Sequence, residues 1–450
     1  MGRTPLHVAI IGGGASGVLM AAHLLSRCDG SGLRVTIIEG RNMLGCGVAY
    51  STRDPNHLLN TRVQNMSAYP SDPEHFLRWL RKRPGYENAT PACFVSREIY
   101  GRYMADLLAP WQGTENSPLT CMRENCIRVS RIADGVELTF EGGTTLRADR
   151  VILATGHVVP PKDPHGLLSG SWDWQEGLDP EARVLIVGSG LSMVDQVLSL
   201  LKQGHKGEIL AVSRRGLLPR DHAPVTPLKI TAEEVPFGAS ASTLLAWARA
   251  HARKAEANGG TWRDAIDGIR PFVRAIWQRL PLIERKRFMR HAAPFWDVHR
   301  HRIPPQSAEI LAQAFGSGQL CQIRASFVEA VKGQGGETIA KLRTRTGLEE
   351  HHVARVVDCR GILRDPVKNA SPLTRSLLDQ GLAKVDPLNI GLDVSPDCCL
   401  RNHEGQASRH ILAIGPVSRP AFWEITAIPD IREQTQALAI RLAEEIAIPV

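Results

Sequence analysis

The chain has 450 residues, enough for two to three domains of roughly 100–200 residues each, and its 43% hydrophobic and 22% charged residues are an ordinary globular balance. No run of about eighteen apolar residues occurs, which excludes a membrane-spanning helix, and the nine cysteines form no zinc spacing and read as reduced thiols. The net charge of +8 leaves nucleic acid, a membrane surface or anionic small molecules open as partners.

The pattern starts with a buried strand, His7–Ile11. Glycines follow it at once, so it reads as a strand and not as a secretory segment, which points to the cytoplasm. A helix is expected from about Ala15 to Arg27, with Leu19, Ala22, Leu24 and Leu25 on its apolar face, and a second strand over Leu33–Glu39. Ser71-Asp72-Pro73 resembles a helix start, with Asp72 as N-cap and Pro73 at the first position. A helix over Arg97–Leu108 and strands from Leu119 to Leu153 follow. Cys121 and Cys126 fall in one strand-like stretch, on opposite faces. Pro160, Pro161 and Pro164 mark a linker. A second strand, glycine turn, helix and strand begin at Arg183. Ala241–Arg302 reads as helices and Gln319–Cys359 as strands; a last strand, His410–Ile414, precedes a helix from about Asp430 to Ile446. Alternating strands and helices define an α/β protein with parallel sheets.

Two glycine turns carry the chemistry. Gly12-x-Gly14-x-x-Gly17 joins the first strand to the first helix. Gly12 allows the tight turn, Gly14 lets a pyrophosphate approach the backbone, and Gly17 lets helix and sheet pack closely. The first-turn amides, with Ala15 and Ser16, face that anion. Glu39 ends the next strand, where a carboxylate accepts ribose hydroxyls and repels a 2′-phosphate; Gly40 follows it. This predicts an FAD-type site. The second turn is Gly188-Ser189-Gly190-Leu191-Ser192, with Met193 where the third glycine would stand. Its following strand, Glu208–Val212, ends in Ser213-Arg214-Arg215, and two arginines suit the dianionic 2′-phosphate of NADPH. A third mark is the strand ending in Ala154-Thr155-Gly156.

With these marks the sequence resembles the two-dinucleotide-domain flavoproteins, whose N-hydroxylating branch carries a similar D-x3-L-A-T-G pattern. More narrowly it resembles the bacterial YdhS-like FAD/NAD(P)-binding proteins, through Gly47–Tyr50, Pro55–Asn60, Gln64–Ser67, Trp296–Arg302 and Phe422–Arg432. The resemblance implies two Rossmann-type domains: a discontinuous FAD domain over 1–158 and 360–450, and an NADPH domain over 180–359 with a helical basic insert at about 240–305. It implies that the Gly415-Pro416 turn returns to the flavin, and that Tyr50, Asn60, Asn65 and Met66 border it. Asp358-Cys359-Arg360-Gly361 departs from the family, which often carries a small residue or threonine at the place of Arg360.

Of the uses of such a cofactor pair, dithiol reduction is disfavoured, because Cys46 has no partner nearby in sequence. The Baeyer–Villiger signature is absent. The expected reaction is NADPH-dependent hydroxylation, through a C4a-peroxyflavin, of a small anionic nitrogen-containing substrate with molecular oxygen. Alternatives are an NADPH-dependent reductase or electron-transfer flavoprotein, and a nucleotide-sensing interaction protein. Trp247–Arg302 holds thirteen Lys or Arg against five acids, an excess equal to the charge of the whole chain. It reads as a solvated helical face or a device steering anionic substrate; the interleaved tryptophans leave nucleic acid as a lesser option. Pocket candidates are His57, Asn65, Trp296, His299, Arg300 and Trp423. His299-x-His301 lacks further ligands, so no metal is expected.

Overall fold

The computed structural model describes residues 5–27, 32–113, 117–157, 162–171, 173, 177–361 and 365–447. Pro160 and Pro161 of the expected linker lie outside them. The chain forms two units, one of residues 1–53, 62–159 and 363–450, the other of 54–61 and 160–362.

In the first unit β1 (Leu6–Ile11) runs into α1 (Ala15–Leu25) and β2 (Leu33–Ile38). Then come α2 (Gly47–Tyr50), α3 (His75–Arg81), α4 (Arg97–Asp106) and β3 (Leu119–Met122). An antiparallel meander, β4 (Cys126–Ile132), β5 (Gly135–Phe140) and β6 (Thr145–Ala148), leads to β7 (Arg150–Leu153).

The second unit repeats this order. After the edge strand β8 (Leu168–Gly170) come β9 (Val184–Val187), α5 (Leu191–Lys202) and β10 (Ile209–Ser213). Six helices follow: α6 (Ala241–Ala257), α7 (Trp262–Ile269), α8 (Val273–Arg279), α9 (Leu282–His291), α10 (Ala293–Arg300) and α11 (Pro305–Gly316). Then come β11 (Leu320–Arg324), a second meander of β12 (Ser326–Lys332), β13 (Thr338–Arg343) and β14 (Leu348–Val353), and β15 (Arg355–Asp358). The chain re-enters the first unit as α12 (Pro372–Asp379), β16 (Cys399–Arg401), β17 (Ala407–Ala413), α13 (Arg419–Phe422) and α14 (Ile428–Ala447).

The two main sheets have orders β16-β17-β7-β1-β2-β3 and β11-β10-β9-β15-β8, all parallel except the β16–β17 hairpin. Their central strands are continuous apolar runs because both faces are covered. In the first sheet Ala9, Ile11, Val151 and Leu153 pack on Val129, Val136 and Leu138 of the meander. In the second, Val184 and Ile186 pack on α5, while Leu185 and Val187 pack on Ala340 and Leu342 of the other meander. Period-2 alternation therefore divides each strand between two cores.

Several expectations change. Asp72 does not cap α3, which starts at His75 with Glu74 at the N-cap; its carboxylate grips Arg78 instead. Cys121 and Cys126 lie on different strands, in different sheets. β17 starts at Ala407, because its polar first half is held by the β16 hairpin and not by burial. Residues 54–61, which the linear reading leaves with the N-terminal domain, belong to the second unit. The eight described cysteines form no disulfide, and among the described residues no helix is long and apolar enough to cross a membrane.

One buried histidine ties α1 to the end of the chain. His23 is 2% exposed, with Nδ1 3.0 Å from the Thr435 hydroxyl and Nε2 3.0 Å from the Ala68 carbonyl. A neutral ring satisfies both, donating from Nε2 to the carbonyl. Burial drives its pKa from 6.5 down to about 4, against the pull of the Ala68 carbonyl. The unfolded chain therefore binds more protons between about pH 4 and 6.5, so stability is complete above that window and is lost as pH falls through it. A shift of this size is worth about 3 kcal/mol. His23→Gln, which keeps a donor and an acceptor, should flatten the fall of denaturation midpoint between pH 6.5 and 4; an unchanged slope would contradict the assignment.

Candidate functional site

The first turn is built by contacts that exclude side chains. Gly12 has φ +109°, and a Cβ there would lie 2.3 Å from the Ala154 carbonyl oxygen at the end of β7. Its N–H donates to the Ile38 carbonyl at 2.8 Å. A Cβ on Gly17 would lie 1.9 Å from the Gly12 carbonyl oxygen, so α1 sits directly on the turn. Gly14 caps α1 with no side chain, and the amides of Ala15, Ser16 and Gly17 bond to no described group. Three unspent donors and the positive helix end make an anion seat. From the other side Gly415 closes on it: a Cβ there would stand 2.3 Å from the Ser16 hydroxyl. The Gly415-Pro416 turn is positioned by Gln434, 2% exposed, whose Oε1 accepts from the Gly415 N–H at 2.7 Å. Gln434 also donates to Ser418 at 2.9 Å, and Ser418 donates back to the Gly415 carbonyl at 2.8 Å. Gln434 is invisible to motif reasoning.

Glu39 lies just beyond β2. Its Oε2 accepts from the Gly13 N–H at 2.9 Å, and Oε1 from the Arg41 N–H at 3.0 Å. The Arg41 guanidinium adds two more bonds, at 3.0 and 3.1 Å. Burial raises the carboxyl pKa, but the Arg41 and Gly13 bonds outweigh it and hold the group ionised. The carboxylate is thus anchored by backbone N–H groups, while its other acceptor sites are covered by the half-exposed Arg41 guanidinium. Gly40 is a packing glycine, since a Cβ there would meet the Asn125 side chain.

Beside this turn a loop is pinned group by group. The Met66 carbonyl accepts from Tyr100 at 2.9 Å and the Ser67 carbonyl from Arg432 at 2.8 Å. The Ala68 N–H donates to Tyr103 at 3.0 Å. Tyr50 tilts against Tyr100, 5.0 Å between centroids. The side-chain amide of Asn65, half-buried on this loop, has no partner among the described residues. After β7, Thr155 is exposed and Gly156 adopts φ +68°. The half-buried His157 is lowered to about 4 by desolvation and by Arg419, so it is neutral near pH 7. Trp423, 3% exposed, adopts φ +56° under Arg419, whose guanidinium lies 4.5 Å from its ring; a left-handed tryptophan is backbone strain of the kind found at ligand sites. Asp430 lies in the first turn of α14, where its charge suits the helix dipole.

The second turn repeats the first. Gly188 has φ +118°, its Cβ would lie 2.4 Å from the Cys359 carbonyl oxygen, and its N–H donates to the Val212 carbonyl at 2.8 Å. Gly190 caps α5 without a side chain, leaving the amides of Leu191 and Ser192 unspent. Met193 replaces the third glycine and is fully buried against Val184 and Ile186, so it packs the helix on the sheet. The Ser189 hydroxyl donates to the Leu217 carbonyl at 2.6 Å and lies 2.8 Å from the Ser213 hydroxyl, fixing the loop after β10. No acid stands there. Arg214 is exposed, and its side chain bonds to no described group. Arg215 is spent differently: its guanidinium donates to the carbonyls of Arg290 and His291 at the end of α9. Arg324, exposed at the end of β11, reaches the Arg214 carbonyl at 3.3 Å, and the sequence reading missed it.

The other candidates scatter. His57 is buried in the second unit: its Nε2 lies 2.8 Å from the Ser199 hydroxyl, which donates to Asp54. The Asn60 carbonyl accepts from His222 at 2.9 Å. Trp296, His299 and Arg300 ride on α10. His299 packs edge-on to Trp262 at 4.7 Å, and a helix turns residues two apart to different sides. No group of three metal-ligating side chains occurs among the described residues. The buried cation here is Arg302, 3% exposed and bidentate to Asp267 at 2.7 and 3.2 Å. Trp262 lies against Arg263 and Arg302, and Trp277 is buried against Arg285.

Residues 9–158 match the model of a family described as FAD-NAD(P)-binding. No curated protein sequence matches the chain. Among solved structures, the chain is similar to the ornithine N-hydroxylase of Kutzneria sp. 744, captured with reduced FAD, NADP+ and L-ornithine, at 14% identity and TM-score 0.67, covering 99% of this chain and 100% of that one. It is similar to the FAD-bound cadaverine monooxygenase of desferrioxamine biosynthesis from Erwinia amylovora, at 15% identity and TM-score 0.66, covering 100% and 96%. It also resembles the bacillithiol disulfide reductase of Bacillus cereus, at 13% identity and TM-score 0.55, covering 98% and 100%. These likenesses span both units and show that the chain shares the fold of these proteins.

Proposed function

We propose that the chain is an NADPH-dependent FAD monooxygenase that hydroxylates a small nitrogen-bearing, acid-bearing molecule. The observation that carries this is the duplicated turn: two anion seats of one construction, one followed by the carboxylate of Glu39, the other by the exposed cation of Arg214. In the first unit the unspent amides of α1 hold the FAD diphosphate. Arg41 gives way, and Glu39 takes the ribose diol while the Gly13 and Arg41 amides keep its carboxylate in place. In the second unit the α5 amides hold the NADPH diphosphate, and Arg214 with Arg324 holds the 2′-phosphate. Bound flavin supplies the oxygen chemistry, which needs little from side chains. The chain's own part is to position: Asn65, on its pinned loop, offers an uncharged amide to flavin or substrate, and His157 stays neutral.

The family match and the stretches Gly47–Tyr50, Gln64–Ser67 and Phe422–Arg432 support a place among YdhS-like flavoproteins. Free thiols and the use of NADPH support a cytoplasmic setting. A reductase is the second reading, favoured by the likeness to a disulfide reductase. Against it, Cys46 is buried with its thiol pKa raised by desolvation, the opposite of a reactive thiolate.

Two measurements test the reading. Turnover under 18O-labelled dioxygen with a panel of amino acids and amines should give one product carrying a single 18O atom; NADPH consumption without labelled product across the panel would favour the reductase. The unmodified enzyme should prefer NADPH, and Arg214→Ala should raise KM for NADPH roughly tenfold while leaving NADH within about twofold, the scale of one charge-assisted bond. Equal loss with both nucleotides would contradict the role given to Arg214.

A further inference from the structure

Arg360 stands where the duplication predicts a small side chain. In the first unit β7 pairs Leu153 with Ile11, Ala154 then touches Gly12, and the next residues are Thr155 and Gly156. In the second, β15 pairs Asp358 with Val187, Cys359 then touches Gly188, and the next residues are Arg360 and Gly361. The backbone follows the same course, with Gly156 at φ +68° and Gly361 at φ +82°. The Arg360 nitrogen lies 3.1 Å from the Cβ position of Gly188, so this residue is part of the wall of the second turn.

The guanidinium is held but not buried. Arg360 Nε and Nη2 donate to the two Asp358 oxygens at 2.9 and 2.6 Å, and its backbone N–H donates to Oδ1 at 3.0 Å. Its Cζ lies 5.4 Å from the centre of the Phe327 ring, and the side chain is 53% exposed. An ion pair this open to water contributes little to stability, so it yields readily to a stronger acceptor. The second turn also has a reason to recruit a cation. Ser189 is committed to Ser213 and Leu217 and cannot serve an incoming anion.

We infer that Arg360 is the diphosphate-binding side chain of the second turn, resting on Asp358 and Phe327 when the site is empty and moving to the nucleotide when it fills. This rests on the reading of that turn as the NADPH seat. A diphosphate offers several charged oxygens to the planar guanidinium fork. Arg360 then serves NADPH and NADH alike, because both carry the diphosphate, whereas Arg214 reads the 2′-phosphate. Asp358 is the internal competitor that sets how much of the Arg360 interaction reaches the ligand.

The test is calorimetric titration of NADP+, NAD+ and 2′-AMP into the purified flavoprotein. Arg360→Gln should weaken NADP+ and NAD+ by the same factor, roughly tenfold, and leave 2′-AMP within about twofold. Arg360→Lys should recover part of the loss. Asp358→Asn should tighten both dinucleotides in the parent and change neither in the Arg360→Gln background. Unchanged dinucleotide affinity in Arg360→Gln would overturn the inference, as would a loss confined to NADP+ and 2′-AMP. If the unmodified protein binds neither NADP+ nor 2′-AMP, the NADPH reading itself falls.

Discussion

The fold turns on one steric contact made twice. A glycine at the carboxyl end of the central strand lies against a carbonyl at the end of its parallel neighbour: Gly12 on Ala154, Gly188 on Cys359. Each glycine has a left-handed φ that side chains rarely adopt, and each gives its N–H to the strand on the other side. The chain can therefore leave the sheet only by that turn, and the helix that follows must begin with its first amides unspent. Parallel pairing, apolar strands covered on both faces and an anion seat at the sheet's carboxyl edge follow from this arrangement.

From turns of one construction, the two seats diverge through charge. In the first unit a carboxylate, Glu39, is held ionised by Gly13 and Arg41. In the second that place is empty of acid, and Arg214, Arg324 and Arg360 gather around the same edge. The arginines are not equivalent. Arg215 closes the end of α9 and Arg302 is sunk beside Asp267, whereas Arg214 and Arg360 stay half in water. The net charge of the helical segment is thus a poor guide to how much cation is on offer, because part of it is consumed by carbonyls, carboxylates and aromatic faces.

What the sequence revealed was local. The glycine turns, Glu39, Arg214 and the strand into Ala154 announce themselves because their chemistry is fixed within a few residues. Long-range partners were not legible. Gln434 positions Gly415 from a helix nineteen residues on, and His57 spends its imidazole on Ser199, 142 residues away. No period or spacing encodes these pairings. Asp72 misled because a proline after an acid is also what a turn looks like, and Arg78 was a better partner for it than a helix end. One signal was present and unused: Ser371 before Pro372 starts α12, with the serine hydroxyl accepting from the Thr374 N–H.

The proposed function requires two separate dinucleotide seats in one chain, one for FAD and one for NADPH. The direct measurement is titration of NADP+ into flavin-loaded protein, recording stoichiometry and flavin release together. One NADP+ bound per chain with the flavin fully retained is the predicted result. Displacement of flavin by NADP+ would mean that both nucleotides use a single seat, and would contradict the account at its centre.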